Sequence, residues 1–223
     1  LAAAIDVGVI TPSTTYDDKG FVMKSGKKIS NFDGKGHGAV SMQEVLNQSL
    51  NTGAVYASDA MGHNVFARYI HEYGLGEKTG IDLPNEATGF IRAIDNGTDV
   101  DYASASFGQS IAVSPIEMAR ALAVLANGGA LPNPHVVSAV RYESGIMKSV
   151  LVLPQRKVLS PATVETMATM LTTVFDKALL SGVLKQEHYS IAAKTGTAQI
   201  AIPGGGGYYT DRYLHSFFGF FPS

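Results

Sequence analysis

Lys194-Thr195-Gly196-Thr197 lies between an apolar run, Ile191-Ala192-Ala193, and an alternating tail, Ala198-Gln199-Ile200-Ala201-Ile202. Alternation of this kind reads as a β-strand, here spanning 190–202. It carries a cation, two hydroxyls and a glycine without a side chain. Alternate residues of a strand face one way, so Lys194 and Gly196 share one side and Thr195 and Thr197 the other. A local twist or bulge would bring several of these groups to one cleft. A second strand, 213–221, follows after Pro203-Gly204-Gly205-Gly206-Gly207-Tyr208, which reads as a flexible hairpin loop.

Upstream of the hairpin the chain is helical. Ser160-Pro161 opens a helix through about Phe175, with Val164, Met167, Met170 and Leu171 at helical spacing. Ser114-Pro115-Ile116-Glu117 combines an N-cap serine, a first-turn proline and a glutamate closing the box, and that helix ends at Asn127-Gly128-Gly129. Ser41-Met42-Gln43-Glu44 predicts a capping box and a helix to about Gln48. Helices over Thr52–Met61 and Asn64–Tyr73 stop at Gly62 and Gly74. Leu1 to Gly8 reads as the tail of a helix, whereas 11–38 and most of 75–103 read as loop. No repeat or linker divides the chain. Helices in the middle and a late antiparallel hairpin predict an α+β sandwich.

Composition permits this and excludes several chemistries. A chain of 223 residues, 45% hydrophobic and 16% charged, buries roughly 70–75% of its unfolded surface without staples. Net charge is −2 with no basic run, so nucleic acid is not an expected partner. There is no cysteine, which excludes disulfides, thiol catalysis and thiolate metal sites. No stretch reaches the ~18 apolar residues of a spanning helix. The six histidines (37, 63, 71, 135, 188 and 215) lack metal-ligand spacing. Asp95, Asp99 and Asp101 fail the calcium-loop pattern and read as solvent-facing, and Gly204 to Gly207 lacks the Lys-Ser/Thr of a phosphate loop. No cofactor is expected.

Two motifs remain. Ser49-Leu50-Asn51 taken alone is ordinary helix-break chemistry. Lys-Thr-Gly occurs twice, and Lys78-Thr79-Gly80, after a Gly74-Leu75-Gly76 turn, reads as a surface loop. Their order carries more than either motif: Ser-x-Asn, then Lys-Thr-Gly-Thr far downstream, with a helix-rich insert between. Together with Asn51-Thr52-Gly53, Gly76 to Pro84, Phe107 to Ala119, Ala126-Asn127-Gly128-Gly129 and Lys194 to Gln199, the chain resembles the transpeptidase domain of class B penicillin-binding proteins.

That resemblance implies a penicillin-binding and serine β-lactamase-like sandwich: an antiparallel sheet with helices on both faces. It implies serine acyl transfer on peptidoglycan, cross-linking stem peptides at D-Ala-D-Ala, with β-lactams trapping the acyl-enzyme. By position, Ser49 would join the proton relay and serve the leaving amine. Asn51 would hold the substrate amide and the general-base lysine. Lys194 would supply positive potential near Ser49 and the substrate carboxylate. The hydroxyls of Thr195 and Thr197 would bind that carboxylate, Gly196 would admit the substrate backbone, and the Thr197 N–H would form half of an oxyanion hole. Other wall-synthesis, divisome or elongasome proteins would be partners, and the domain would act outside the cytoplasmic membrane on an anchored protein.

One element departs from the pattern. The family's nucleophile lies in a Ser-x-x-Lys at a helix start, and the only such string here, Ser25-Gly26-Lys27-Lys28, falls in a Gly- and Lys-rich loop with nothing to bury its lysine. The resemblance puts the nucleophile helix just before Leu1 and a final strand and helix after Ser223, so 1–223 is expected to be a partial transpeptidase domain with some strands of the sheet missing. Two other readings stay open: a β-lactam sensor or β-lactamase-like protein, and an inactive scaffold paralogue. A deacylating Glu-x-x-Leu-Asn, expected of one class of β-lactamase, is absent.

Overall fold

The computed structural model describes residues 1–150, 155–205 and 207–222. A short helix α1 (Ala2–Asp6) leaves through Gly8, whose φ of +75° suits a residue without a Cβ. The segment 11–38, loop-like by composition, instead carries β1 (Thr15–Asp18), β2 (Phe21–Lys24) and β3 (Lys27–Ser30), and runs into β4 (Gly38–Ser41). β1 pairs with β4 and β2 with β3, both antiparallel. These strands escape a pattern reading because each is four residues long and buries little: Ile29 and Val40 are inside, while Phe21 and Met23 stay exposed.

Helices α2 (Met42–Gln48) and α3 (Asn51–Met61) meet at Ser49-Leu50. Ser41 Oγ accepts the Glu44 N–H at 3.3 Å, as the cap predicts, but the Glu44 carboxylate accepts from Asn47 and Gln48 instead of closing the box. α4 (His63–Glu72) starts straight after Gly62. Within the expected loop 75–103 stand α5 (Arg92–Asp95) and the start of α6 (Asp99–Ala105). A Thr98/Asp101 capping box opens α6, so Asp99 and Asp101 lie in its first turn. α7 (Pro115–Ala126) carries the predicted box, with Ser114 and Glu117 capping each other.

Two small antiparallel pairs follow. β5 (Ala130–Leu131) pairs with β8 (Arg156–Lys157), and β6 (Ala139–Arg141) with β7 (Met147–Ser149). α8 (Pro161–Thr173), capped by Ser160, continues through a π turn at Val174–Ala178. The hairpin of β9 (Ala192–Ala201) and β10 (Tyr208–Phe220) ends the chain. Gly206 of its loop lies outside the described residues.

The main core gathers Ala4, Met42, Val124, Leu131, Leu159, Met170 and Ala192, so α1, α2, α7 and α8 all pack toward the start of β9. Burying side chains such as Met42 and Met170 contributes roughly 1.5–3 kcal/mol each. The phenylalanines of β10 divide by alternation: Phe218 and Phe220 pack on this core, while Phe217 is 63% exposed. Among the described residues no helix is long and apolar enough to cross a membrane.

Candidate active site

The junction of α2 and α3 places Ser49 and Asn51. Ser49 ends α2 in the left-handed region, φ 56° and ψ 46°, and is exposed. Leu50 is buried and anchors the turn, and Asn51 is the first residue of α3. Gly53 is required one step on. A Cβ there would overlap Val45, so α2 and α3 cross closely only because Gly53 has none.

β9 presents the second set. Ala192 and Ala193 are fully buried, and beyond them Lys194 and Gly196 are half-buried while Thr195 and Thr197 are exposed. This is the alternation read from the sequence. No bulge interrupts it: pairing with β10 is one-to-one from Ala192↔Phe220 to Gln199↔Tyr213. Gly196 faces Ser216, and a Cβ on it would come within 2.5 Å of Ser216 Oγ, a packing reason for glycine besides substrate approach. Among the described residues β9 pairs only with β10, leaving its other edge open.

Lys194 Nζ donates to Ser49 Oγ and, at 3.0 Å, to the Thr195 carbonyl. Burial holds the Lys194 ammonium below its ordinary pKa, because the charged form loses water. Among the described residues no carboxylate forms an ion pair with it. A half-buried cation without a protein counter-ion favours an anion from outside.

The cleft around this contact measures about 1050 Å³. All six predicted residues line it: Ser49, Asn51, Lys194, Thr195, Gly196 and Thr197. Lys27 and Lys28 add positive charge to the wall, and Asp101, its one acidic residue, is engaged by Thr98. The Thr195 hydroxyl has no partner among the described residues, whereas Thr197 Oγ1 lies 3.4 Å from His215 Nδ1. Asn51 donates its amide N–H to the Ser30 carbonyl at 3.0 Å, a contact the sequence did not suggest.

Sequence reasoning also missed Phe32 and Tyr213. They line the cleft and meet edge to face, with ring centroids 5.9 Å apart. One sits in a loop and the other on a strand far along the chain, so no spacing could have paired them. Gln109 and Ser110, within the Phe107 to Ala119 stretch that carries part of the resemblance, line it as well.

Of the two decoy motifs, Lys78-Thr79-Gly80 stands apart from the cleft, and Ser25-Gly26-Lys27-Lys28 brings its lysines but not its serine to the wall. Ser25-Gly26 is the two-residue turn of the β2–β3 hairpin, with Ser25 exposed at φ 47°. In Lys78-Thr79-Gly80 the threonine is buried, and its N–H and Oγ1 both donate to Glu86, at 2.6 and 2.5 Å, while Lys78 is exposed. That copy latches a loop.

Comparison with known proteins agrees with the geometry. The family model described as the penicillin binding protein transpeptidase domain matches residues 1–223. The chain is 30% identical to stage V sporulation protein D of Bacillus subtilis, covering 100% of this chain and 34% of that protein. It is 28% identical to the peptidoglycan D,D-transpeptidase MrdA of Acinetobacter baumannii, covering 93% of this chain and 32% of that one. Among solved structures, penicillin binding protein 3 of Mycobacterium tuberculosis complexed with aztreonam superposes with a TM-score of 0.89 at 26% identity, over 98% of this chain and 50% of that one. The chain spans about a third of the length of the curated relatives it matches. From the junction of α2 and α3 to the hairpin of β9 and β10, this chain belongs to the penicillin-binding protein transpeptidase domain family.

Proposed function

We propose that this chain supplies the substrate-binding side of a serine D,D-transpeptidase that cross-links peptidoglycan stem peptides and is acylated by β-lactams. The observation that carries the reading is the hydrogen bond from Lys194 Nζ to Ser49 Oγ, which joins the two motifs in one electropositive cleft.

In this reading the carboxylate of the terminal D-alanine sits by Lys194, against the hydroxyls of Thr195 and Thr197. The donor strand lies along the open edge of β9 beside Gly196, in the manner of a peptide added to a sheet. Asn51 orients the scissile amide. A serine Oγ attacks the carbonyl carbon of the penultimate D-alanine, its proton passing to the general-base lysine of its Ser-x-x-Lys and on toward Ser49, and the oxyanion is met by the Thr197 N–H. The bond to D-alanine breaks, and Ser49, relayed by Lys194, passes a proton to the departing amine. The amine of a neighbouring stem peptide then takes the acyl group and frees the serine.

The exposed turn at Ser25 has neither the helix nor the burial that would activate a nucleophile, so this reading assigns the attacking serine to sequence outside 1–223. It likewise places the domain on the extracytoplasmic side of the membrane, on a protein anchored by a segment other than these residues, and in company with other wall-synthesis proteins.

Intact-mass measurement of the whole protein with and without a β-lactam tests this. The expected result is a single covalent adduct mapping to a serine of a Ser-x-x-Lys. An unmodified protein, with its fold intact by circular dichroism, would overturn the reading in favour of a scaffold. An adduct that is released within minutes would favour a β-lactamase-like protein.

A further inference from the structure

Beside the cleft, behind Asn51, lies a buried polar cluster that the reaction does not use. Asp18 at the end of β1 is only 2% exposed. Its Oδ1 accepts from the Gly20 N–H at 2.9 Å and the Thr52 hydroxyl at 2.8 Å. Its Oδ2 accepts from Asn31 Nδ2 at 2.8 Å and the His37 N–H at 3.2 Å, and lies 2.7 Å from His37 Nδ1. A buried carboxylate with this many donors is ionised and accepts only, and that fixes the polarity of everything around it.

The consequence runs outward. Thr52 Oγ1 has one proton and two acceptors before it, Asp18 Oδ1 at 2.8 Å and Asn31 Oδ1 at 3.0 Å, so the Tyr16 hydroxyl, 2.9 Å away, is the donor to Thr52. Asn31 must turn its NH₂ to Asp18, which aims its Oδ1 at the Thr52 backbone N–H, 3.1 Å away. That contact matters because α3 has an apolar N-cap, Leu50, with no side-chain cap bond. The first turn of a helix has N–H groups that its own backbone cannot satisfy. Here Asn31, oriented by Asp18, supplies from another element the oxygen that an N-cap serine or aspartate would supply locally. Asn51 is the residue just before that amide, and its side chain bonds the carbonyl of Ser30, the residue just before Asn31.

We infer that Asp18 is a positioning residue for Asn51: through Asn31 and Thr52 it fixes the first turn of α3 and thereby sets where the Asn51 amide stands in the cleft. Its effect on catalysis rests on the acyl-transfer reading; its hold on α3 does not.

The test uses the whole protein and the variants Asp18→Asn, Thr52→Val and Asn51→Ala. Asp18→Asn turns an NH₂ toward donors, and Thr52→Val keeps the shape but removes the linking hydroxyl. The first readout is amide hydrogen exchange at Thr52. Both variants are expected to speed it about tenfold or more, with exchange in α7 and α8 unchanged. The second is acylation by a fluorescent penicillin, resolved into binding and the chemical step. Asp18→Asn is expected to slow the chemical step about tenfold, and to add nothing further in an Asn51→Ala background. Unchanged exchange at Thr52, or an effect that adds fully to Asn51→Ala, would overturn the inference. If Asp18→Asn fails to fold, Thr52→Val carries both measurements. Should the wild-type protein take no label, the acyl-transfer reading fails, and exchange at Thr52 alone decides whether Asp18 holds α3.

Discussion

Lys194 and Ser49 are 145 residues apart in sequence and share a hydrogen bond at the centre of the cleft. One comes from the middle of a strand and the other from the left-handed end of a helix. Each supplies what the other lacks, an ammonium made less costly to deprotonate by burial and a hydroxyl able to pass a proton. Replacing either is therefore expected to stop the relay. Lys194→Ala and Ser49→Ala should each slow acylation about 10²- to 10⁴-fold at nearly unchanged folding stability, measured with a fluorescent penicillin. Lys194→Arg should not restore the rate, because a guanidinium holds its proton.

Lys78 provides the internal control. It shares the Lys-Thr-Gly sequence but stands exposed on a loop held by Thr79 and Glu86. Lys78→Ala is expected to leave acylation unchanged and stability within about 0.5 kcal/mol. A rate loss comparable with that of Lys194→Ala would remove the distinction between the two copies.

Gly53 sets how closely α2 and α3 approach. Because an added Cβ meets Val45, Gly53→Ala is expected to push the helices apart at the turn that carries Ser49 and Asn51. The cost should be about 1–3 kcal/mol in urea unfolding. Acylation should also slow at temperatures where the variant remains folded.

Glu117 is fully buried and binds three backbone amides: Gly76 at 3.0 Å, Gly89 at 2.9 Å and Ser114 at 2.6 Å. It thus closes its own helix cap and ties down the Gly76–Gly89 loop. Burial raises its pKa, but these bonds outweigh that and hold the carboxyl below its usual range. Glu117→Gln leaves one acceptor oxygen and aims an NH₂ at an N–H. A loss of about 1.5–3 kcal/mol is expected, seen as a lower urea midpoint at unchanged slope.

His37 gives the protein a pH dependence of definite sign. Its bond to Asp18 raises the imidazole pKa, against a smaller opposing effect of burial, and Asp33, with Oδ2 3.1 Å from Nε2, adds to the rise. The stabilisation is fully present below the unfolded value of about 6.5 and is lost as pH climbs through the higher folded value. The melting-temperature gap between wild type and His37→Gln should therefore be wider near pH 6 than near pH 9. A gap that widens with pH would contradict the assignment.

Much of the helical frame was legible because its signals are local. Ser114-Pro115-Ile116-Glu117 and Ser160-Pro161 each specify a helix start within four residues, and both helices begin there. Residues 11–38 were opaque for the opposite reason: β1 to β4 are stabilised by pairing and by a buried polar cluster, so no apolar rhythm marks them. The Thr98/Asp101 box is a local signal too, but its neighbours Asp95 and Asp99 give the segment the composition of a solvated loop. In the site, Ser49, Asn51 and the Lys194 strand were recognised by order and resemblance. Phe32, Tyr213 and Asn31 reach the same cleft or its rear wall only through tertiary contacts, which sequence spacing does not encode.

The one-to-one pairing of β9 with β10 has a consequence for tolerance to change. Because a strand has a period of two, sliding β9 by a single residue would carry Lys194 away from Ser49 and bring a threonine hydroxyl into its place. What prevents the slide is the core-facing end of the hairpin, where buried Ala192 pairs with Phe220 and core-packed Phe218 pairs with Lys194. Deleting Leu214 from β10 removes none of the six candidate site residues, yet it would turn over the faces of the β10 residues on one side of it. The hairpin behaves as a ruler whose zero mark is set in the hydrophobic core.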